Sequence, residues 1–289
     1  MTANLLPLYT GGALRIQGIY DGSALDFSVL ARLMHTELES IENTNGEVCL
    51  MCPGSPVLAG ALRTFGSRNL QTVFDPERCQ FHFYLRNGYP ATDRLFGIYI
   101  WQISVICSCI AALLRGKPVL PVHCGMLEHD GKALLLCGES GMGKSTTCRR
   151  WRESGGVAIA DDMVLLEFTE SSGILVHRLP TWSACRESLD GRSYPYDPPL
   201  NLKHVFALSR SKEDQEYVKT IPGSEFYAQV YRCVFFHCVK IMTSLPEEYQ
   251  RSGALRLREQ TERLLAEFPA RGLFAHLDGD IRSTLKDYL

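Results

Sequence analysis

The sequence lacks a surplus of charge of either sign: 30 basic residues face 32 acidic ones, for a formal net charge of −2. That balance excludes a protein that binds nucleic acid or an anionic membrane surface through bulk electrostatics. No repeat and no low-complexity tract interrupts the chain. The opening residues, Met1-Thr2-Ala3-Asn4-Leu5, lack the basic stretch and apolar run of a secretory leader. The expected compartment is therefore a reducing cytoplasm, where the 11 cysteines serve mostly as small buried hydrophobes. Cys49-Leu50-Met51-Cys52 has the spacing of half a zinc site. Its possible partners, Cys79 or Cys107 with Cys109, lack a second closely spaced pair in a polar loop, which favours ordinary packing.

Long hydrophobic runs are also scarce. One stretch, Leu95–Leu114, holds 20 residues without a charge, enough to cross a bilayer. Gly97, Gln102, Ser104 and Ser108 dilute it, and Ile103, Ile106, Ile110, Ala111 and Leu114 fall at helical spacing, so the reading is a core helix and no membrane. What is present is the composition of a globular protein: 289 residues, 45% apolar and 21% charged, sized for one large domain or two ordinary ones.

The natural division lies at the polar break Arg115-Gly116-Lys117-Pro118. Residues 1–115 read as a mixed α/β region of unknown role. A helix is expected near Ala24–Glu39, strands near Glu47–Met51, Thr72–Phe74 and Gln80–Leu85, and turns at Cys52–Pro56 and Asn87–Pro90. Residues 116–289 open with two strand-like runs, Val119–His129 and Lys132–Cys137, joined by Asp130-Gly131, a strong two-residue hairpin signal. Ala133–Cys137 is continuously apolar, as a central strand would be. A glycine-rich segment follows, then a helix over Ser145–Ser154 closed by Gly155-Gly156, and then a buried strand, Val157–Ala160, ending in Asp161-Asp162. Further strands are expected near Val164–Phe168, Ile174–Leu179, Val205–Leu208 and Val234–Val239, and an amphipathic helix near Glu259–Glu267. The fold class is α/β, with a mixed sheet in the C-terminal part.

The glycine-rich segment is Gly138-Glu139-Ser140-Gly141-Met142-Gly143-Lys144-Ser145, the pattern of a P-loop or Walker A motif. With glycine near ~7% of residues, its four fixed positions arise by chance in about 1% of chains of this length. The apolar strand before it and the helix after it supply the required setting. Glycines permit the close backbone approach that lets main-chain N–H groups and a helix N-terminus cradle a phosphate. In that pattern Lys144 neutralises the β- and γ-phosphates of ATP, and the Ser145 hydroxyl reaches Mg2+. Thr146 and Thr147, in the first helical turn, either touch the α-phosphate or simply start the helix.

Asp161 and Asp162 follow Ser145 by sixteen and seventeen residues. Adjacent carboxylates at a strand end beside a phosphate loop suit a cation and, for one of them, proton acceptance from an attacking hydroxyl. Their plainer reading is a turn pair or a helix cap. His123 lies fifteen residues before Gly138, and strand alternation would place it opposite Val122 and Cys124. Taken alone it reads as an ordinary strand histidine.

His123-Cys124-Gly125, Gly138–Ser145 and Ala160-Asp161-Asp162 together resemble the C-terminal domain of the HPr kinase/phosphorylase family, a phosphoenolpyruvate-carboxykinase type of P-loop core. The resemblance is strong over Val122–Glu167 and loose beyond. It implies ATP and Mg2+ as ligands, with Lys144 on the phosphates, Ser145 on the metal and Asp162 as the base. Asp161 would assist with metal or orientation, and His123 would support the transferring phosphoryl. The family's Glu-Ile-Arg-Gly signature is not recognisable; Glu187 stands at its distance and is the remaining candidate metal ligand. Leu179-Pro180-Thr181-Trp182-Ser183 looks like the Pro-x-Trp-Ser stretch of divergent HPr-kinase-like proteins, some of which phosphorylate a serine on a precursor peptide. The expectation is an ATP-dependent kinase acting on a serine of a peptide or protein, with a homo-oligomer left open. The alternatives are a small-molecule kinase and a nucleotide-binding partner without turnover.

Overall fold

The computed structural model describes residues 2–6, 16–20, 39–40, 48–51, 62–66, 70–85, 94–171, 173–179 and 199–289. The chain divides into two compact units. One comprises Met1–Lys117, Ala184–Asp197 and Cys238–Ala254; the other comprises Pro118–Ser183, Pro198–His237 and Leu255–Leu289. Both are mixed α/β. Among the described residues, no helix is long and apolar enough to cross a membrane.

The first unit carries β1 (Thr2–Leu6), β2 (Ile16–Tyr20), β3 (Glu39–Ser40), β4 (Val48–Met51), β5 (Leu62–Gly66), β6 (Leu70–Asp75) and β7 (Gln80–Leu85), followed by helix α1 (Arg94–Leu114). Its sheet runs β3-β1-β2-β4-β7-β6-β5, with β4 parallel to both β2 and β7. Glu39 belongs to a strand rather than to the end of a helix; residues 24–38 and the turns at 52–56 and 87–90 lie outside the described residues. In α1 the run from Cys107 to Leu113 is buried on all sides, which is why it has no polar face. Cys107 and Cys109 are buried thiols, consistent with packing; Cys52 lies outside the described residues.

In the second unit, β8 (Val119–Val122), β9 (Cys124–His129) and β10 (Lys132–Cys137) lead into α2 (Lys144–Glu153). β11 (Val157–Ala160), β12 (Val164–Phe168), β13 (Ile174–Arg178), β14 (Leu200–Arg210) and β15 (Tyr217–Thr220) follow. The chain closes with α3 (Gly223–Met242) and α4 (Glu247–Glu267), whose stretch Cys238–Ala254 is counted with the first unit, and with β16 (Arg271–Ala275) and α5 (Ile281–Leu285). The described strands form one mixed sheet of nine, ordered β11-β9-β10-β14-β13-β12-β8, with β16 paired to β14 and β15 paired to β16. β14 runs parallel to both of its neighbours β10 and β16.

Local chemistry explains much of this order. The β9–β10 hairpin turns on Asp130 (φ 49°) and Gly131 (φ 71°), both left-handed, as a twist-matched two-residue turn requires. Helix α2 ends in a paired C-terminal motif: Gly155 N–H donates to the Arg152 carbonyl and Gly156 N–H to the Trp151 carbonyl, with Gly155 at φ 83°. The face of α2 bearing Cys148 and Trp151 packs with Leu127, Leu134, Leu136, Phe206 and Leu208 into the core. A Cβ on Gly125 would sit 2.9 Å from Cys148 Sγ, so the glycine sets the spacing between helix and sheet.

Four expectations for the C-terminal part are corrected. The run Val119–His129 is two strands broken at His123, because β8 pairs with β12 while β9 pairs with β10 and β11. Among the described strands β11 lies at the sheet edge and pairs only with β9, and Val157 is 51% exposed rather than buried. Residues 234–239 belong to helix α3, whose buried Phe226, Val230, Cys233, Val234 and Ile241 follow helical spacing that a short apolar run disguised. Helix α4 also starts well before residue 259, at Glu247.

Candidate functional site

The C-terminal ends of parallel strands leave main-chain groups pointing past the sheet edge, and ligands collect there. Here β10 runs into the glycine-rich loop, β14 ends at Arg210, and β16 ends at Ala275. β9 is antiparallel to β10, and its first residue Cys124 pairs with Cys137, the last of β10, so His123 arrives at the same edge. Asp161 and Asp162 follow the end of β11 beside it. A cavity of about 700 Å³ opens along this edge, lined by His123, residues 140–147, Asp161, Asp162, Arg150, Arg210, Ser211 and residues 275–277.

The loop geometry follows from its glycines. Gly141 (φ 81°) and Gly143 (φ 100°) occupy left-handed backbone that an L side chain adopts only at a cost. Gly138 is held for a different reason: a Cβ there would lie 3.0 Å from the Leu208 carbonyl oxygen on β14. Gly143 caps α2, and Thr147 N–H donates to its carbonyl at 2.8 Å. Lys144 is 6% exposed, and its Nζ donates to the carbonyls of Gly138 at 2.7 Å and Glu139 at 3.2 Å. A buried ammonium at a helix N-terminus concentrates positive potential where an anion can enter. Glu139 pairs with Arg232 of α3 on the surface, Ser145 is exposed, and Met142 and Thr146 are half-buried.

Across the cavity, His123 Nε2 lies 3.2 Å from Asp162 Oδ1. The imidazole stacks on Phe236 of α3, with centroids 5.1 Å apart and planes 23° apart, and the His123 N–H donates to the Cys233 carbonyl at 3.1 Å. A base with its oxygen held by an oriented ring is an arrangement able to accept a proton. Below the carboxylates, Cys148 is buried, and burial together with the Asp161 charge pushes its thiol up to about 12.

Among the described residues, no group of three or more His, Cys, Asp or Glu side chains is placed to hold a metal ion. Ser145 and Asp161 both line the cavity, however, and Mg2+ is commonly held by one or two protein oxygens completed by phosphate and water. The residues present fit such an ion only together with a phosphate ligand. Glu187, Pro180, Trp182 and Ser183 lie outside the described residues.

His123, Lys144, Ser145, Thr146, Asp161 and Asp162 therefore come together in one cavity. Sequence reading missed the opposite wall. Arg210 donates to the Gly141 carbonyl at 2.7 Å, and the Arg150 guanidinium engages Glu216 at 3.0 Å and the carbonyls of His276 and Gly279. The short apolar run Leu273-Phe274-Ala275 was the available signal for β16; nothing local tied it to the loop.

A family model described as SynChlorMet cassette protein ScmC matches residues 93–242, just over half of the chain. No curated protein matches.

Proposed function

The chain belongs to the ScmC family of SynChlorMet cassette proteins, and from that premise we propose an ATP-dependent kinase with an HPr-kinase-like core, transferring a γ-phosphoryl group to a serine of a peptide or protein. The carrying observation is that the buried Lys144, on its glycine-rich loop, shares one cavity with the His123–Asp162 pair. An anion cradle and an oriented carboxylate are the two parts that hydroxyl phosphorylation needs.

In this reading the loop N–H groups and Lys144 hold the β- and γ-phosphates and draw off charge as the phosphoryl departs. Magnesium, when bound, neutralises phosphate oxygens; Ser145 and Asp161 would hold it. Asp162 accepts the hydroxyl proton. His123 keeps its oxygen in place, and Phe236 keeps the imidazole plane in place. A weakly basic carboxylate suffices, because a loose transition state releases the proton late.

The test is ADP formation from Mg-ATP with and without serine-containing peptides, read with mass spectrometry of the peptide. Phosphoserine formed in step with ADP is the expected result. ATP binding with no transfer to any peptide or small alcohol would leave only a nucleotide-binding partner.

A further inference from the structure

Sheet order arranges the cavity wall in a line. Asp161 and Asp162 follow β11, His123 precedes β9, the glycine-rich loop follows β10, Arg210 and Ser211 end β14, and Ala275 to Leu277 end β16. The His123–Asp162 pair, where the phosphoryl would leave, is at one end. The tip of β16 stands two strand spacings beyond β10 on the other side, about 10 Å, the reach of an α-phosphate and ribose. A nucleoside therefore has one direction in which to extend.

At that far end the polar groups are largely engaged within the protein. The Ser211 hydroxyl donates to the Glu213 carbonyl and accepts from the Glu213 N–H, while the Ser211 N–H donates to the Ala275 carbonyl at 2.8 Å. Arg150 occupies the His276 carbonyl at 2.7 Å. The Asp278 N–H donates to His276 Nδ1 at 3.3 Å, which in the neutral ring leaves the proton on Nε2. Leu277 is 76% exposed, an apolar side chain on the cavity wall with most of its surface in water.

We propose that the tips of β14 and β16 form a purine-nucleoside subsite that grips the base by apolar contact with Ala275 and Leu277 and does not separate adenine from guanine. The single ring donor, His276 Nε2–H, suits N7, an acceptor that both purines carry. Among the described residues, the other side chains lining this end are tied elsewhere, Arg210 to the Gly141 carbonyl and Ser211 to Glu213, and none opposes an acceptor to a donor at the six-position, so ATP and GTP bind alike. This rests on the reading of the cavity as a nucleoside-triphosphate site.

The experiment is calorimetry of the full chain with Mg2+ and, in turn, ATP, GTP, CTP and tripolyphosphate, repeated for Leu277→Ser. ATP and GTP are expected within about fivefold of each other and tighter than CTP. Leu277→Ser should weaken both purine nucleotides by about fivefold or more while tripolyphosphate is unchanged, since only apolar contact with the base is removed. A preference between ATP and GTP beyond that range, or unchanged ATP affinity in Leu277→Ser, overturns the subsite. Failure of tripolyphosphate and all nucleotides to bind would instead remove the triphosphate reading beneath it. Leu277 is exposed, so an unchanged melting temperature verifies that the variant is folded.

Discussion

His123 Nε2 stands 3.2 Å from Asp162 Oδ1, although thirty-eight residues separate the two in the chain. The contact joins the break between β8 and β9 to the end of edge strand β11. If Asp162 is the base and His123 its support, the two substitutions differ in kind. Asp162→Asn keeps shape and nucleotide affinity while kcat falls on the order of 10²-fold or more. His123→Ala gives a smaller loss that is not additive with the first. Single-turnover phosphorylation of the same peptide by both single variants and the double variant checks this. Near-normal turnover by Asp162→Asn would transfer the role to Asp161.

Lys144→Ala should cut transfer by about 10²-fold or more and weaken ATP binding, because its ammonium is buried in the loop. The loss is expected at about 2–4 kcal/mol in the transition state. Calorimetry with ATP and a peptide assay read the two effects; unchanged affinity with full turnover would show that the loop is not the phosphate cradle.

Two glycines of the loop should fail in different ways. Gly143→Ala meets no atom within 4 Å but forces φ 100° on an L residue, at about 1–2 kcal/mol. Anion affinity is expected to drop as the loop relaxes out of that conformation into the open space around it, and the relaxation limits the fall in melting temperature to a few degrees. Gly138→Val places its side chain against the Leu208 carbonyl oxygen, where a Cβ alone comes within 3.0 Å, and should unfold the unit at lower temperature by about 1–3 kcal/mol of overpacking. Thermal melts beside tripolyphosphate titrations separate the two.

Buried thiols set a pH dependence. Burial raises Cys148 and Cys238 from 9.0 to about 12. Between those values the unfolded chain has released thiol protons that the folded chain retains. The folded state thus binds more protons, and stability falls as pH rises through 9 toward 12. Urea midpoints at pH 8 and pH 10 should differ in that direction, and both thiols should resist alkylation at pH 8 until denaturant is added. Rapid labelling of Cys148 in the native protein would contradict its burial.

The direction of transfer is a further expectation. With no recognisable Glu-Ile-Arg-Gly segment, a kinase built on this site should run forward from ATP, with little phosphate-dependent reversal. Incubation with inorganic phosphate and phosphoserine-HPr should release no pyrophosphate, and ATP with HPr should give no rapid phosphoserine. Either product would return the chain to the true HPr kinase/phosphorylase activity.

What the sequence by itself determined is what neighbouring atoms decide. The left-handed glycines, the Asp130-Gly131 turn and the glycine stop of α2 each follow from backbone sterics over a few residues. Periodicity served where a run was long enough, as in α1, and failed at residues 234–239, where five apolar residues around His237 fit a strand as well as a buried helix face. Only the tertiary structure decided which segments share the cavity. β14 lies against β10 across about seventy residues of chain and β16 against β14 across a further sixty-five, so Arg210 and Leu277 reach the loop through strand pairing. Pairing of that kind is set by the burial of whole apolar strands, a property that no local motif carries.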